Sequence, residues 1–139
     1  MASTLKINTL TGVTTAGSIA VTAEGNSTTT NLQQGLCKVW INYNMISSTA
    51  ERDSFNVSSL SDLGTGSTTV NINNDMANAN YSGFFYCNAA AETAYNNFSN
   101  HYAGGWGGLT TGSFSQQSHD NTDVIDSFMN ITGVMGDLA

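Results

Sequence analysis

The chain has 139 residues, a net charge of −7 from 10 acids against 3 bases, and 9% charged residues, well below the ~25% of an ordinary domain. Lys6, Lys38 and Arg52 stand singly, so no basic patch can follow a phosphate backbone or an anionic bilayer, and nucleic acid and membranes are excluded as partners. No apolar run approaches the ~20 residues that span a bilayer, and the first eight residues lack the charged-then-apolar order of a signal peptide, so synthesis in the cytoplasm is expected.

Ser, Thr, Asn and Gly make up nearly half of the chain, and proline is absent. Thr with Val, Ile, Tyr and Phe favours pleated strands, while Asn, Ser and Gly supply turns and compete with helical hydrogen bonds. The expected fold class is all-β, an antiparallel, jelly-roll-like sandwich, with hydroxyls and amides rather than charges keeping it in water. The length suits one such domain, expected at residues 35–139, preceded by an N-terminal extension at residues 1–34.

Within the extension, residues 3–11 place Leu5 and Ile7 on one face, and residues 17–22 repeat the alternation with Ile19 and Val21. Two short strands are expected there. They bury too little apolar surface to stand alone, so they need a partner. Residues 25–31 read as a polar turn.

The main domain opens with a strand at residues 38–43, where Val39, Ile41 and Tyr43 alternate with Lys38, Trp40 and Asn42. A second strand is expected at residues 54–58 with Phe55 and Val57 inward, then a turn at 61–67, then a strand at 68–73 with Val70 and Ile72 inward. Residues 81–89 carry large side chains on both faces and read as a central strand covered on both sides. Residues 89–95 have the composition of a helical turn, and residues 124–134 close the domain. Cys37 and Cys87 lie in no metal-ligand spacing and are expected to be reduced and buried.

Four segments in order carry a resemblance: Gly35-Leu-Cys-Lys-Val-Trp-Ile-Asn-Tyr43, Glu51-Arg-Asp-Ser-Phe-Asn-Val-Ser-Ser-Leu60, Gly64-Thr-Gly-Ser-Thr-Thr-Val-Asn-Ile72 and Met76-Ala-Asn-Ala-Asn-Tyr81. Together, over about residues 35–88, they resemble the C-terminal β domain of tail-fibre-like and structural proteins of marine bacteriophages. The opening Ser3-Thr-Leu-Lys-Ile-Asn-Thr-Leu10 is similar to the attachment segment of phage fibre proteins. The resemblance implies a virion structural protein, assembled in the host cytoplasm. It would be a tail-fibre-like or knob-like appendage subunit, often a homotrimer, held to other virion proteins by its extension and contacting the host surface. A capsid-decoration or tail-scaffold protein, or a glycan-binding module, are the alternatives. Cys37 stands where a small residue is common in that family, and residues 89–121 depart from its pattern.

The residues that could carry chemistry are few. Glu51 and Asp53 alternate about Arg52 and share a strand face, which permits the carboxylate spacing of a glycosidase, but nothing else marks a cleft. The simpler reading is that Arg52 and Asp53 fix a turn or a subunit contact. His119, Asp120, Asp123 and Asp126, with His101 further off, gather potential metal ligands, yet they lack the glycine and terminal glutamate of an EF-hand loop. An acidic turn capping the last strand accounts for them, and neither metal nor cofactor is expected. No Ser-His-Asp set, phosphate loop or dinucleotide fingerprint occurs, so the chain reads as non-enzymatic. The one candidate ligand is host surface polysaccharide. Tyr102-Ala-Gly-Gly-Trp-Gly-Gly-Leu109 sets Trp106 between glycine pairs in an expected loop, and Trp106, Tyr102 and Tyr95 are the candidate glycan-binding residues. The alternative for Trp106 is an anchor packed into its own domain or a neighbouring subunit.

Overall fold

In a computed structural model, which describes residues 4–12, 19–22, 28–88, 102–119 and 123–139, the chain is almost entirely β. It divides into two units, Met1–Leu36 and Cys37–Ala139.

In the first unit, β1 (Ala20–Thr22) pairs antiparallel with β2 (Thr29–Asn31). One helical turn follows, α1 (Leu32–Gly35), and the Asn31 side chain caps it by accepting from the Gln34 N–H at 3.1 Å. The strand expected at residues 3–11 does not form among described residues 4–12. None of the unit's described residues is buried.

The second unit is the expected antiparallel sandwich. Its strands are β3 (Cys37–Asn44), β4 (Ala50–Phe55), β5 (Val57–Gly64), β6 (Ser67–Ile72), β7 (Ser82–Asn88), β8 (Tyr102–Gly107), β9 (Ser113–His119) and β10 (Met129–Met135). One sheet has the order β4-β3-β10-β7, the other β5-β6-β9-β8. The chain therefore crosses between sheets four times, after β4, β6, β7 and β9, so neither sheet forms without the other.

Alternation decides which side chains meet. Val39, Ile41, Tyr43 and Val134 from the first sheet close on Val70, Ile72 and Phe114 from the second, joined by Met45, Met76 and Tyr81 from the connections. Each fully buried side chain of this size stabilises the fold by about 1.5–3 kcal/mol. The Tyr81 ring meets Phe114 edge-on at 6.5 Å, and its hydroxyl donates to the Thr110 and Ser113 carbonyls, which docks the segment after β6 onto the start of β9.

Several expectations change. Residues 54–58 are not one strand but the corner between the two sheets. Asn56 sits in the left-handed region at φ 61°, which rotates Phe55 outward to 52% exposure while Val57 packs against the core. The Asn56 amide donates to the Lys38 and Asn74 carbonyls at 3.1 Å, and its Oδ1 accepts from the Asn74 backbone N–H at 2.7 Å. The turn expected over 61–67 tightens to Thr65 and Gly66, since β5 runs through Gly64. Gly66 has φ +64°, and a Cβ there would strike Val124 and the Ile125 backbone, while its N–H donates to Asp126 Oδ1 at 2.6 Å. β7 is an edge strand rather than a central one, because β10, whose small Gly133 and polar inward side chains hid its position, takes the centre. The helical turn expected at 89–95 lies outside the described residues.

Neither thiol is bridged, and Cys37 is exposed rather than buried, because it begins β3 at the sheet rim. Cys37 pairs with Met135 and Cys87 with Asn130, five residues apart along β10. That separation is roughly 17 Å along the strand, beyond any disulfide.

Replacing Asn56 by Ala should destabilise the domain by about 2 kcal/mol, since a β-carbon without the amide loses both the left-handed tolerance and the bonds that pin the corner. Asn56→Gly should recover part of that loss by relieving the backbone alone. Urea unfolding reads both, and an unchanged midpoint for Asn56→Ala would remove Asn56 as the pin of the corner.

Candidate functional site

The outer face of the first sheet is where the structure departs most from a polar surface. Because Ile41 and Tyr43 point inward, Trp40 and Asn42 must point outward. Register then aligns a row of residues across all four strands: Phe55 on β4 lies opposite Trp40 on β3, Trp40 opposite Gly133 on β10, and Gly133 opposite Phe84 on β7. The next row on the same face is Asp53, Asn42, Ile131 and Tyr86. Phe55, Trp40, Phe84 and Tyr86 are 52%, 38%, 54% and 41% exposed, so four aromatic side chains share one solvent-facing surface.

Gly133 makes that surface low. A Cβ at this position would overlap the Cζ and Cε1 carbons of Phe84, so the ring of Phe84 lies across β10 in the space another side chain would take. Trp40 and Phe84 thus flank a glycine rather than a knob.

A polar atom interrupts the apolar surface. Asn42 Oδ1 is shut off from solvent and accepts no hydrogen bond. An unmatched buried acceptor costs about 1–3 kcal/mol. Beside it in the row, the Asp53 carboxylate accepts from the Ser54 backbone N–H at 2.9 Å and remains exposed.

Behind this face the interior is polar at one end and keeps the sheets in fixed register. The Tyr43 hydroxyl donates to Gln116 Oε1 at 2.7 Å across the sandwich, and Gln116 Nε2 donates to the Thr132 hydroxyl. Ser127 Oγ donates to Asn130 Oδ1 at 2.6 Å, and Asn130 Nδ2 donates to the Tyr43 and Ser127 carbonyls. Burial, aided by the nearby Cys87, drives the Tyr43 phenol far above its ordinary range. Burial likewise pushes the Cys87 thiol up to about 11, only partly offset by a backbone contact at His119.

The residues singled out from sequence fare differently. Tyr95, His101 and Asp120 lie outside the described residues. Tyr102 and Trp106, whose backbone alone is described, lie in strand β8 at the edge of the second sheet, not in a loop, opposite His119 and Gln116. Pairing with β9 satisfies a glycine-rich backbone that a loop would leave to water, and a register shift between Ala103 and Gly105 absorbs the extra residue. Glu51 Oε1 accepts from Ser54 Oγ at 2.7 Å, so Glu51 and Asp53 are both drawn to Ser54 rather than across a cleft. Arg52 sits 4.1 Å over the Phe128 ring instead of fixing a turn with Asp53. Asp126 is engaged by Gly66, His119 bonds Gln117 at 3.0 Å, and among the described residues no group of three His, Cys, Asp or Glu is placed to hold a metal. No helix of the described residues is long and apolar enough to cross a membrane.

Sequence reasoning placed Trp40 on the outward side of its strand but missed the surface it belongs to. The signal was present in the alternation of Phe84 and Tyr86 with Phe85 and Cys87, and the missing knowledge was which strand lies beside which. No protein-family model, curated protein or solved structure matches the chain.

Because the folded state holds Cys87 and Tyr43 neutral above their ordinary ranges, their contribution is complete below about pH 9 and is lost as pH rises toward the folded value of about 11 for Cys87. Melting temperature should fall between pH 9 and 11, and the fall should be shallower for Cys87→Ala. A flat profile in the parent protein would contradict this. In the native protein at pH 8, a thiol reagent should modify the exposed Cys37 and reach Cys87 only after denaturation. Rapid labelling of two thiols without denaturant would contradict that.

Proposed function

We propose that this chain is a non-enzymatic structural subunit of a bacteriophage particle, a tail-fibre-like or knob-like appendage, assembled as a homo-oligomer through its N-terminal unit. One observation carries the reading: the unit Met1–Leu36 has no buried residue among those described, and Leu5, Ile7, Leu10, Val21 and Leu36 are 50–79% exposed. A segment with that much uncovered apolar surface and a two-stranded ribbon of three residues a side does not stand alone in water. It acquires its core from another chain.

The other supports are the ordered motif string over residues 35–88 and the sandwich itself. The string resembles phage appendage domains, and the sandwich has a core of its own. Three copies, other virion proteins as the seat of residues 1–34, and the host surface as the outward contact are the partners this reading names. The place of action is the virion.

Light scattering of the purified full chain should give about three times 14.6 kDa. Deleting residues 1–34 should leave a folded monomer that mass spectrometry no longer finds in purified particles. A full-length monomer at micromolar concentration, or particles that incorporate the truncated chain normally, would overturn the proposal.

A further inference from the structure

Among the described residues each sheet ends in two edge strands, and three of those four carry a feature that discourages another strand from pairing there. β4 is bulged at Arg52 and carries Glu51, Arg52 and Asp53. β5 is bulged twice and carries Asp62. β8 is bulged between Ala103 and Gly105 and is half glycine. β7 has none of these features: seven consecutive residues pair with β10 without a shift, and none is charged or proline. No described strand lies on its other side, and Ser82, Gly83, Phe84 and Tyr86 are exposed. Such an edge presents a row of backbone N–H and C=O groups, and what matches that row is the backbone of an added strand.

We infer that the open edge of β7 receives residues 4–10 of a second copy as a fifth strand of the first sheet, each copy giving its segment and taking one. This rests on the homo-oligomer reading above and names the surface of the neighbouring copy that the segment occupies.

The segment fits the edge in length, pattern and charge. Residues 4–10 match the seven residues of β7, and none of the described residues 4–12 is in a strand of its own chain. Leu5 and Ile7 alternate with Lys6 and Asn8, the pattern of a strand covered on one side only. The β7 flank offers such a side. Phe85 pairs with the inward-facing Thr132 and yet stays half-buried, outside the core cluster. Leu5 and Ile7 on that side cover it and leave Lys6 and Asn8 on the other. Lys6 is the only charge in residues 4–12, and the chain carries −7 overall, so segment and domain attract where two whole domains repel. Copies that each give one segment and take one meet head to tail, an arrangement that closes into a ring such as a trimer.

The test is light scattering and amide hydrogen exchange on three full-length proteins: the parent, the double variant Leu5→Asp with Ile7→Asp, and Gly83→Asp, which gives β7 the kind of charge that β4 and β5 carry. The parent is expected as an oligomer in which alternate amides of Ser82–Asn88 exchange about tenfold or more slower than in either variant. Each variant alone should be a monomer whose β9 amides stay protected, so that loss of mass is not loss of fold. The double variant alters no buried residue, so its mass reads the interface even where Gly83→Asp fails to fold. Mixed one to one, the double variant keeps an intact edge and Gly83→Asp an intact segment, so a dimer of about twice 14.6 kDa should form. Parent mass in the double variant, no association on mixing two folded variants, or β7 amides that exchange equally fast in parent and double variant would each overturn the inference. With an oligomeric parent, any of these leaves the homo-oligomer reading in place. A monomeric parent would retire both.

Discussion

The bond from the Tyr43 hydroxyl to Gln116 is the constraint around which the sandwich is arranged. It joins two residues 73 positions apart on opposite sheets, and it obliges the interior to satisfy a phenol and a primary amide without water. Thr132 answers the amide's donor side, and Asn130 with Ser127 answers the Tyr43 carbonyl. Because polar groups meet only at particular distances and angles, this belt specifies one register, whereas an apolar interior of similar volume would accept several. A chain with nearly half of its residues Ser, Thr, Asn or Gly has few large apolar side chains to define a core by shape. Hydrogen bonding supplies the definition instead.

The same constraint explains where the remaining apolar residues go. With Asn130, Thr132 and Gln116 taking inward positions, several aromatic side chains are left on the outward side of the first sheet. Phe55 is sent there by the left-handed turn at Asn56, Trp40 by strict alternation with Ile41, and Phe84 and Tyr86 by alternation with Cys87. A stable fold has no need of four exposed aromatics in two adjoining rows. Those four side chains lie beside a buried acceptor that takes no hydrogen bond.

The two units differ in what they bury. Residues 37–139 have a core drawn from both sheets, while residues 1–36 have no buried residue among those described.

What the sequence determined by itself was local. Alternation set the inward faces of β3 and β6, and the Ser, Thr and Asn content made the chain a sandwich of short strands rather than a helical protein. Strand neighbours were not legible. Asn56 reads as an ordinary strand residue until its φ is known, the polar run Ser-Phe-Ser-Gln-Gln-Ser-His becomes β9 because its Gln116 and Ser118 find partners in the interior, and Gly133 gains its meaning only when Phe84 lies across it. The physical reason is that side-chain direction within a strand repeats every two residues and is written along the chain, whereas the order of strands is set by hydrogen bonds and packing between residues far apart in it. The aromatic face is a product of that order, and only the tertiary structure decided it.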